Sequence, residues 1–174
     1  MEIRFAEKSD LKFIVDIYNQ AVRSGRATAD LQEVSISDRK SWFEGHNKHE
    51  YPIYILEDNH KIIGWGSLSP YRKGREGLKE TAEISYYIDY NYHGLGYGKE
   101  LIGFMINDCK RLKIKNLFAL MLEVNETSAK ILEKFGFSKW GIMPNVANLN
   151  GFICGQLIYG INLNASKSHT NKNG

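Results

Sequence analysis

Between an apolar segment, Ala82 to Ile88, and an amphipathic run, Leu101 to Leu112, lies the stretch Tyr92-His93-Gly94-Leu95-Gly96-Tyr97-Gly98-Lys99. Glycines at alternate positions where a strand gives way to a helix let the backbone approach a ligand with no Cβ in the way. The first N–H groups of the following helix have no internal partner, and the helix dipole adds partial positive charge there. Such a turn suits a phosphate or pyrophosphate, held by the backbone N–H groups of residues 94 to 99. A P-loop requires a hydroxyl residue directly after its lysine, whereas Glu100 follows Lys99. A dinucleotide-binding fold requires Gly-x-Gly-x-x-Gly in the first βα turn, whereas the spacing here is Gly-x-Gly-x-Gly in mid-chain. Spacing rules out both.

Other side chains with chemical potential flank this turn. Glu83 sits among Ala82, Ile84 and Tyr86, where partial desolvation would raise its pKa toward that of a working base. Periodicity alone favours a solvent-facing strand glutamate. Asn125 and Ser128 fall at a strand-to-helix junction, the ordinary arrangement of an N-cap. Tyr71, Arg72, Lys73 and Arg75 make a basic loop, either simply solvated or able to pair bidentately with a carboxylate. His46, His49 and His60 lack metal spacing and read as surface histidines, so no metal is expected.

The elements that must position these groups follow from the pattern of apolar residues. Ile3 to Ala6 reads as a short strand, and Ser9 as the N-cap of a helix bearing Leu11, Ile14, Val15, Tyr18 and Val22. A second helix, capped near Ser37, bears Trp42 and Phe43. Pro52–Glu57 and Lys61–Ser69 form a hairpin about Asp58-Asn59-His60. Thr81–Asp89 is the strand before the glycine turn and Gly98–Leu112 the helix after it. Leu117–Val124 is a strand, Thr127–Phe135 a helix ended by Gly136, and Phe152–Leu163 the last strand. This order predicts an α/β domain over residues 1–163 with a sheet of mixed direction, followed by a polar tail, 164–174, expected to be disordered.

Composition narrows the function. The 174 residues fit one domain with a real core, and 43% hydrophobic content excludes wholesale disorder. A formal charge of +3 is too small to argue for nucleic acid. No apolar run approaches membrane-span length and the first residues lack a signal-peptide core, so a cytoplasmic protein with no membrane partner is expected. Cys109 and Cys154 offer neither metal spacing nor a disulfide framework, and Cys109 falls on an apolar helix face.

The run His93-Gly94-Leu95-Gly96-Tyr97-Gly98 resembles the acyl-CoA turn of the GNAT N-acetyltransferases, with His93 in the usual Arg/Gln place. The segments Ala27-Thr28-Ala29-Asp30, Asp38-Arg39-Lys40-Ser41-Trp42-Phe43, Thr81 to Ile88 and Gly136-Phe137-Ser138-Lys139-Trp140-Gly141 resemble its phosphinothricin and methionine sulfoximine acetyltransferase branch. The resemblance implies a GNAT fold: a mixed, mostly antiparallel central sheet with helices on both faces and a splayed strand pair for acyl-CoA. It implies acetyl-CoA as co-substrate and direct transfer of acetyl to the amine of a small amino-acid-like molecule. It makes Glu83 the base, directly or through water, and the Ile88 N–H the donor to the thioester oxygen. Tyr86, Tyr87 and Ile88 would receive the pantetheine arm, His93 to Lys99 the pyrophosphate, and Asn125 and Ser128 the arm again. Lys134 would approach a CoA phosphate or be solvated, and Tyr71, Arg72 and Arg75 would meet the acceptor. Leu132 stands where many relatives carry a tyrosine acid. Phe152 and Gly155 stand where the branch has a basic residue and an aspartate, which keeps a polyamine, an aminoglycoside or a protein N-terminus open as acceptor. A CoA-binding module without turnover is the reading from another class, and a homodimer is a family expectation.

Overall fold

The computed structural model describes residues 1–164. The expected tail, apart from Asn164, lies outside the described residues. Seven strands form one sheet in the order β1-β2-β3-β4-β5-β7-β6. They are β1 (Glu2–Phe5), β2 (Ile53–Asp58), β3 (Lys61–Pro70), β4 (Thr81–Ile88), β5 (Asn116–Leu122), β6 (Ser138–Leu149) and β7 (Phe152–Asn162). Every pairing is antiparallel except β4 with β5. The helices are α1 (Leu11–Ser24), α2 (Ile36–Glu44), α3 (Tyr97–Leu112) and α4 (Glu126–Glu133).

Strand alternation splits the core between two layers. Tyr54, Leu56, Ala82 and Ile84 face α3 and α4, where they meet Leu101, Met105, Cys109 and Leu132. Ile53, Ile55 and Trp65 face α1, against Ile14, Ile17, Tyr18 and Val22, with Trp42 and Phe43 of α2 packed beside them. The helices therefore cover both faces of the sheet, as expected. Helix α3 presses closely on β3, since a Cβ at Gly66 would stand 2.5 Å from Met105 Sδ.

Three expectations shift. Ser9 does not cap α1: Lys8–Asp10 is a turn of 3₁₀ helix in which Asp10 Oδ2 accepts the Glu7 N–H at 2.7 Å. Helix α2 is capped by Ser35 rather than Ser37, because Asp38 three residues on answers the Ser35 N–H at 2.8 Å and completes a capping box. The largest omission is β6, a twelve-residue edge strand where no element was expected. Pro144 and Gly141 break its pattern, its register on β7 slips twice, and most of its residues are exposed. An edge strand tolerates such proline. The usable signal was Asn150-Gly151, whose φ values of 54° and 98° make the tight turn that joins β6 to β7.

Candidate active site

Strands β4 and β5 pair only where Thr81–Glu83 meets Asn116–Phe118. Beyond that they diverge, and Ile84–Ile88 has no ladder to Ala119–Leu122. Backbone groups along this seam are thus open to a ligand able to make strand-like hydrogen bonds.

The seam leads to the glycine turn. Gly94 and Gly96 adopt φ of 80° and 93°, a region where a side chain is strained. A Cβ on either would meet nothing within 4 Å, so the space above the turn is open. The N–H groups of Gly94, Leu95, Gly96, Tyr97 and Gly98 bond to no backbone carbonyl among the described residues. The Lys99 N–H differs from expectation: it is taken by the Gly96 carbonyl at 2.9 Å, so the cradle comprises residues 94 to 98, and Lys99 has only its exposed side chain to offer. His93 does not project freely toward the turn. Its ring lies 4.4 Å from that of Tyr90, and its Nε2 donates to the Ile88 carbonyl at 2.9 Å. Tyr97 anchors the start of α3 through its hydroxyl to Asp58 at 2.9 Å.

On the α3/α4 side of β4, the Tyr86 hydroxyl is buried with no hydrogen-bond partner. Burial pushes its pKa up, eased by the nearby Ser128 hydroxyl. A buried phenol with no close partner is costly, and this one lies beside the open seam with the Ser128 hydroxyl near it. Asn125 caps α4, its Oδ1 accepting the Ser128 N–H at 3.3 Å. Lys134 is exposed at the end of α4, and Leu132 is fully buried in the core. Open cradle, unpaired seam and orphaned phenol together fit the pyrophosphate and amide-bearing arm of a coenzyme A thioester. The groups that would hold it are the N–H groups of residues 94 to 98, the free edge of β4 and the residues around Asn125.

Glu83 and Tyr87 point the other way. Alternation turns them from Ala82, Ile84 and Tyr86 toward α1 and α2, so the chain neighbours expected to desolvate Glu83 lie on the opposite face. A cavity of about 200 Å³ opens there, walled by Tyr18, Trp42, Trp65 and Tyr87, with Arg39 and Glu83 as its charged members. Burial alone raises the Glu83 pKa, since no partner compensates its charge. Burial likewise raises Tyr87, with the neighbouring Tyr18 phenol adding to it. Arg39 lies 4.4 Å above the Tyr18 ring and bonds Asp30 at 3.0 Å, and Asp30 also accepts the Tyr18 hydroxyl at 2.6 Å. The Trp65 indole N–H is buried and unpaired, on a residue only 4% exposed. Outside the cavity a wider cleft of about 770 Å³ runs between the segment after α1 and the β6–β7 turn, with Asp30 and Phe152 on its walls.

Two residues of this cavity, Arg39 and Trp65, and His46 behind its wall carry no local signal of their place. Arg39 falls within a segment that resembles the family, and its helical spacing from Trp42 and Phe43 places it on the inward side of α2. Trp65 lies on the Lys61–Ser69 strand with nothing in its spacing to mark it. His46 is half-buried rather than a surface residue: its ring packs 4.8 Å from Trp42 and bonds both the Trp42 carbonyl at 2.7 Å and Ser69 Oγ at 3.1 Å. Tyr71, Arg72 and Arg75 stay on an exposed loop and do not line the cavity. Gly155 gives its N–H to Glu123 Oε2 at 3.1 Å, and no group of three metal-ligating side chains gathers among the described residues.

The family model of the acetyltransferase (GNAT) domain matches residues 1–138. YwnH of Bacillus subtilis is 38% identical over 87% of this chain and 92% of its own length. The L-methionine sulfoximine/L-methionine sulfone acetyltransferase of Salmonella typhimurium is 30% identical, covering 84% of this chain and 85% of its own. The acetyltransferase yncA of Salmonella typhimurium, solved with acetyl-CoA, superimposes with a TM-score of 0.87 at 27% identity, over 100% of this chain and 98% of that one. An open cradle of N–H groups at the end of a splayed strand, next to a cavity holding an uncompensated carboxylate, suits an acetyl-CoA-dependent N-acetyltransferase, and the chain belongs to the GNAT acetyltransferase family.

Proposed function

We propose that this enzyme acetylates the α-amine of a small amino-acid-like acceptor of the methionine sulfoximine or phosphinothricin type, as the names of its relatives suggest. The observation that carries the reading is the pairing of one carboxylate, Glu83, with one guanidinium, Arg39, in a single aromatic-walled cavity behind the seam. A zwitterion matches that charge pattern: ammonium toward Glu83 and carboxylate toward the fork of Arg39.

In this reading Glu83, its pKa raised by burial, takes a proton from the arriving ammonium. The neutral amine attacks the thioester, whose oxygen receives the Ile88 N–H as charge develops. The thiolate departs without a tyrosine on α4, because Leu132 is locked in the core. A thiol pKa near ~8.5 makes it a tolerable leaving group. Residues 1–163 act as one domain. The buried, unbridged thiols of Cys109 and Cys154 support a reducing, cytoplasmic setting. Trp140, Ile142, Met143, Val146, Phe152 and Ile153 leave an exposed apolar surface on the β6–β7 hairpin that supports a homodimer.

The deciding experiment measures thiol release from acetyl-CoA with L-methionine sulfone, phosphinothricin, spermidine, an aminoglycoside and an alanyl peptide as acceptors. The amino acids should give the highest kcat/KM. A clear preference for the polyamine or the peptide would overturn the assignment.

A further inference from the structure

His46 is bonded at both ring nitrogens, and the partners determine where its proton sits. The Trp42 carbonyl can only accept, so Nδ1, 2.7 Å away, carries the hydrogen. Burial lowers the His46 pKa, which keeps the ring neutral and Nε2 bare. Ser69 Oγ, 3.1 Å from Nε2, must therefore be the donor in that bond. With its hydrogen committed to His46, the Ser69 oxygen offers only lone pairs to its remaining neighbours.

Those neighbours include Glu83. Ser69 and Glu83 face each other across the β3–β4 pair, and both line the cavity. Directly opposed residues share a sheet face with Cβ atoms about 5 Å apart. Two acceptors, a carboxylate and an oriented hydroxyl oxygen, thus stand side by side on one wall, and both are suited to N–H donors.

We propose that His46 is a positioning residue that fixes Ser69 as an acceptor, so that Ser69 and Glu83 together receive two N–H groups of a primary amine. This rests on the reading of the cavity as the acceptor site. The pair selects a nitrogen with at least two hydrogens: Glu83 takes the proton of one, leaving the lone pair that attacks, and Ser69 keeps hold of the other. The arrangement also reverses with pH. When His46 gains a proton, both ring nitrogens donate, Ser69 accepts from Nε2, and its own hydrogen turns toward the cavity. The wall then presents a donor to an incoming ammonium. The titratable groups around the cavity are Glu83 and Tyr87 on β4, Tyr18 on α1 and Arg39 on α2, while β3 contributes Trp65, Ser67 and Ser69, none of which titrates.

Two measurements on the intact enzyme test this. Nitrogen-15 NMR of the His46 ring at neutral pH should find the Nδ1–H tautomer, and an Nε2–H tautomer would overturn the proposal whatever the substrate. Steady-state kinetics with acetyl-CoA and L-methionine sulfone, run from acid to alkaline pH, should then separate the variants. Ser69→Ala should raise KM for the acceptor by roughly ten- to a hundred-fold at neutral pH, the worth of a hydrogen bond to a charged group. KM for acetyl-CoA should stay unchanged, and Ser69→Thr should restore the acceptor KM. The gap between wild type and Ser69→Ala should close as pH falls, and His46→Gln should abolish that closing. An acceptor KM in Ser69→Ala within about twofold of wild type at every pH sinks the pair. Should wild type prefer another class of amine, the acceptor assignment fails instead, and the same series run on that amine still decides the role of Ser69.

Discussion

His93 Nε2 lies 2.9 Å from the carbonyl oxygen of Ile88, tying the entrance of the glycine turn to the last residue of β4, the strand proposed to meet the thioester. An arginine or glutamine at this place would offer its donors to a phosphate. Here the ring donates to the protein itself and links the end of β4 to the turn. His93→Ala should weaken acetyl-CoA binding about fivefold, the worth of one neutral hydrogen bond. Calorimetric titration checks this, and an unchanged Kd would reduce His93 to a surface group.

The cradle can be probed without disturbing the fold at Gly98. Its φ is not positive, and an added Cβ would touch only Ile88 Cγ1, at an ordinary 3.8 Å. Gly98→Val should leave the melting temperature near that of wild type and raise the acetyl-CoA Kd tenfold or more, because the branched side chain crowds the N–H groups of residues 94 to 98. Gly96→Val is less clean, since a φ of 93° strains any side chain. Intact binding by folded Gly98→Val would move the pyrophosphate elsewhere.

Glu83→Gln keeps shape and hydrogen bonding but cannot take a proton. It should lower kcat by roughly 10²–10⁴, the usual range for general-base catalysis. The residual rate should climb at high pH, where more of the amine is already neutral. A variant within a few-fold of wild type across that range would leave Glu83 with positioning alone.

The same substitution should stabilise the protein. Burial raises the Glu83 pKa in the folded state, so the native form holds its proton more tightly than the unfolded chain does. Stability from this group is then full below the unfolded pKa and declines as pH rises through the folded one. Glu83→Gln should melt above wild type at neutral pH, and the difference should vanish under acid conditions. Calorimetry at several pH values measures it, and equal melting temperatures at neutral pH would show that the carboxylate is solvated at no cost.

Arg39 is already aligned by Asp30 and by the Tyr18 ring, so little ordering remains to be done when a carboxylate arrives. Arg39→Gln should raise the acceptor KM by roughly ten- to a hundred-fold and leave that for acetyl-CoA alone. A comparable loss in Arg75→Gln would instead place the carboxylate at the basic loop.

The glycine turn, the strand before it and the helix after it were legible because each rests on local chemistry: spacing, capping and alternation. Glu83 was legible as a carboxylate on an apolar strand, but its surroundings were not, because they come from α1 and α2 across the sheet. Arg39, Trp65 and His46 were hidden for the same reason, being assembled by packing between segments far apart in the chain. Strand β6 was lost to Pro144 and its two register slips, which erase the two-residue period on which strand recognition depends.

The short β4–β5 contact has a mechanical consequence. Strands β1 to β4 and the group β5, β7 and β6 are each stitched internally by long antiparallel ladders, yet they meet through three residue pairs. A coenzyme arm lying in that gap would replace missing rungs and reinforce two leaves whose ladder to each other is short, though they share one core. The co-substrate would then serve as structural mortar as well as acyl donor. On warming, the empty protein should part first along this line, with amide exchange fastest on the inner edges of β4 and β5, and saturating coenzyme A should slow that exchange.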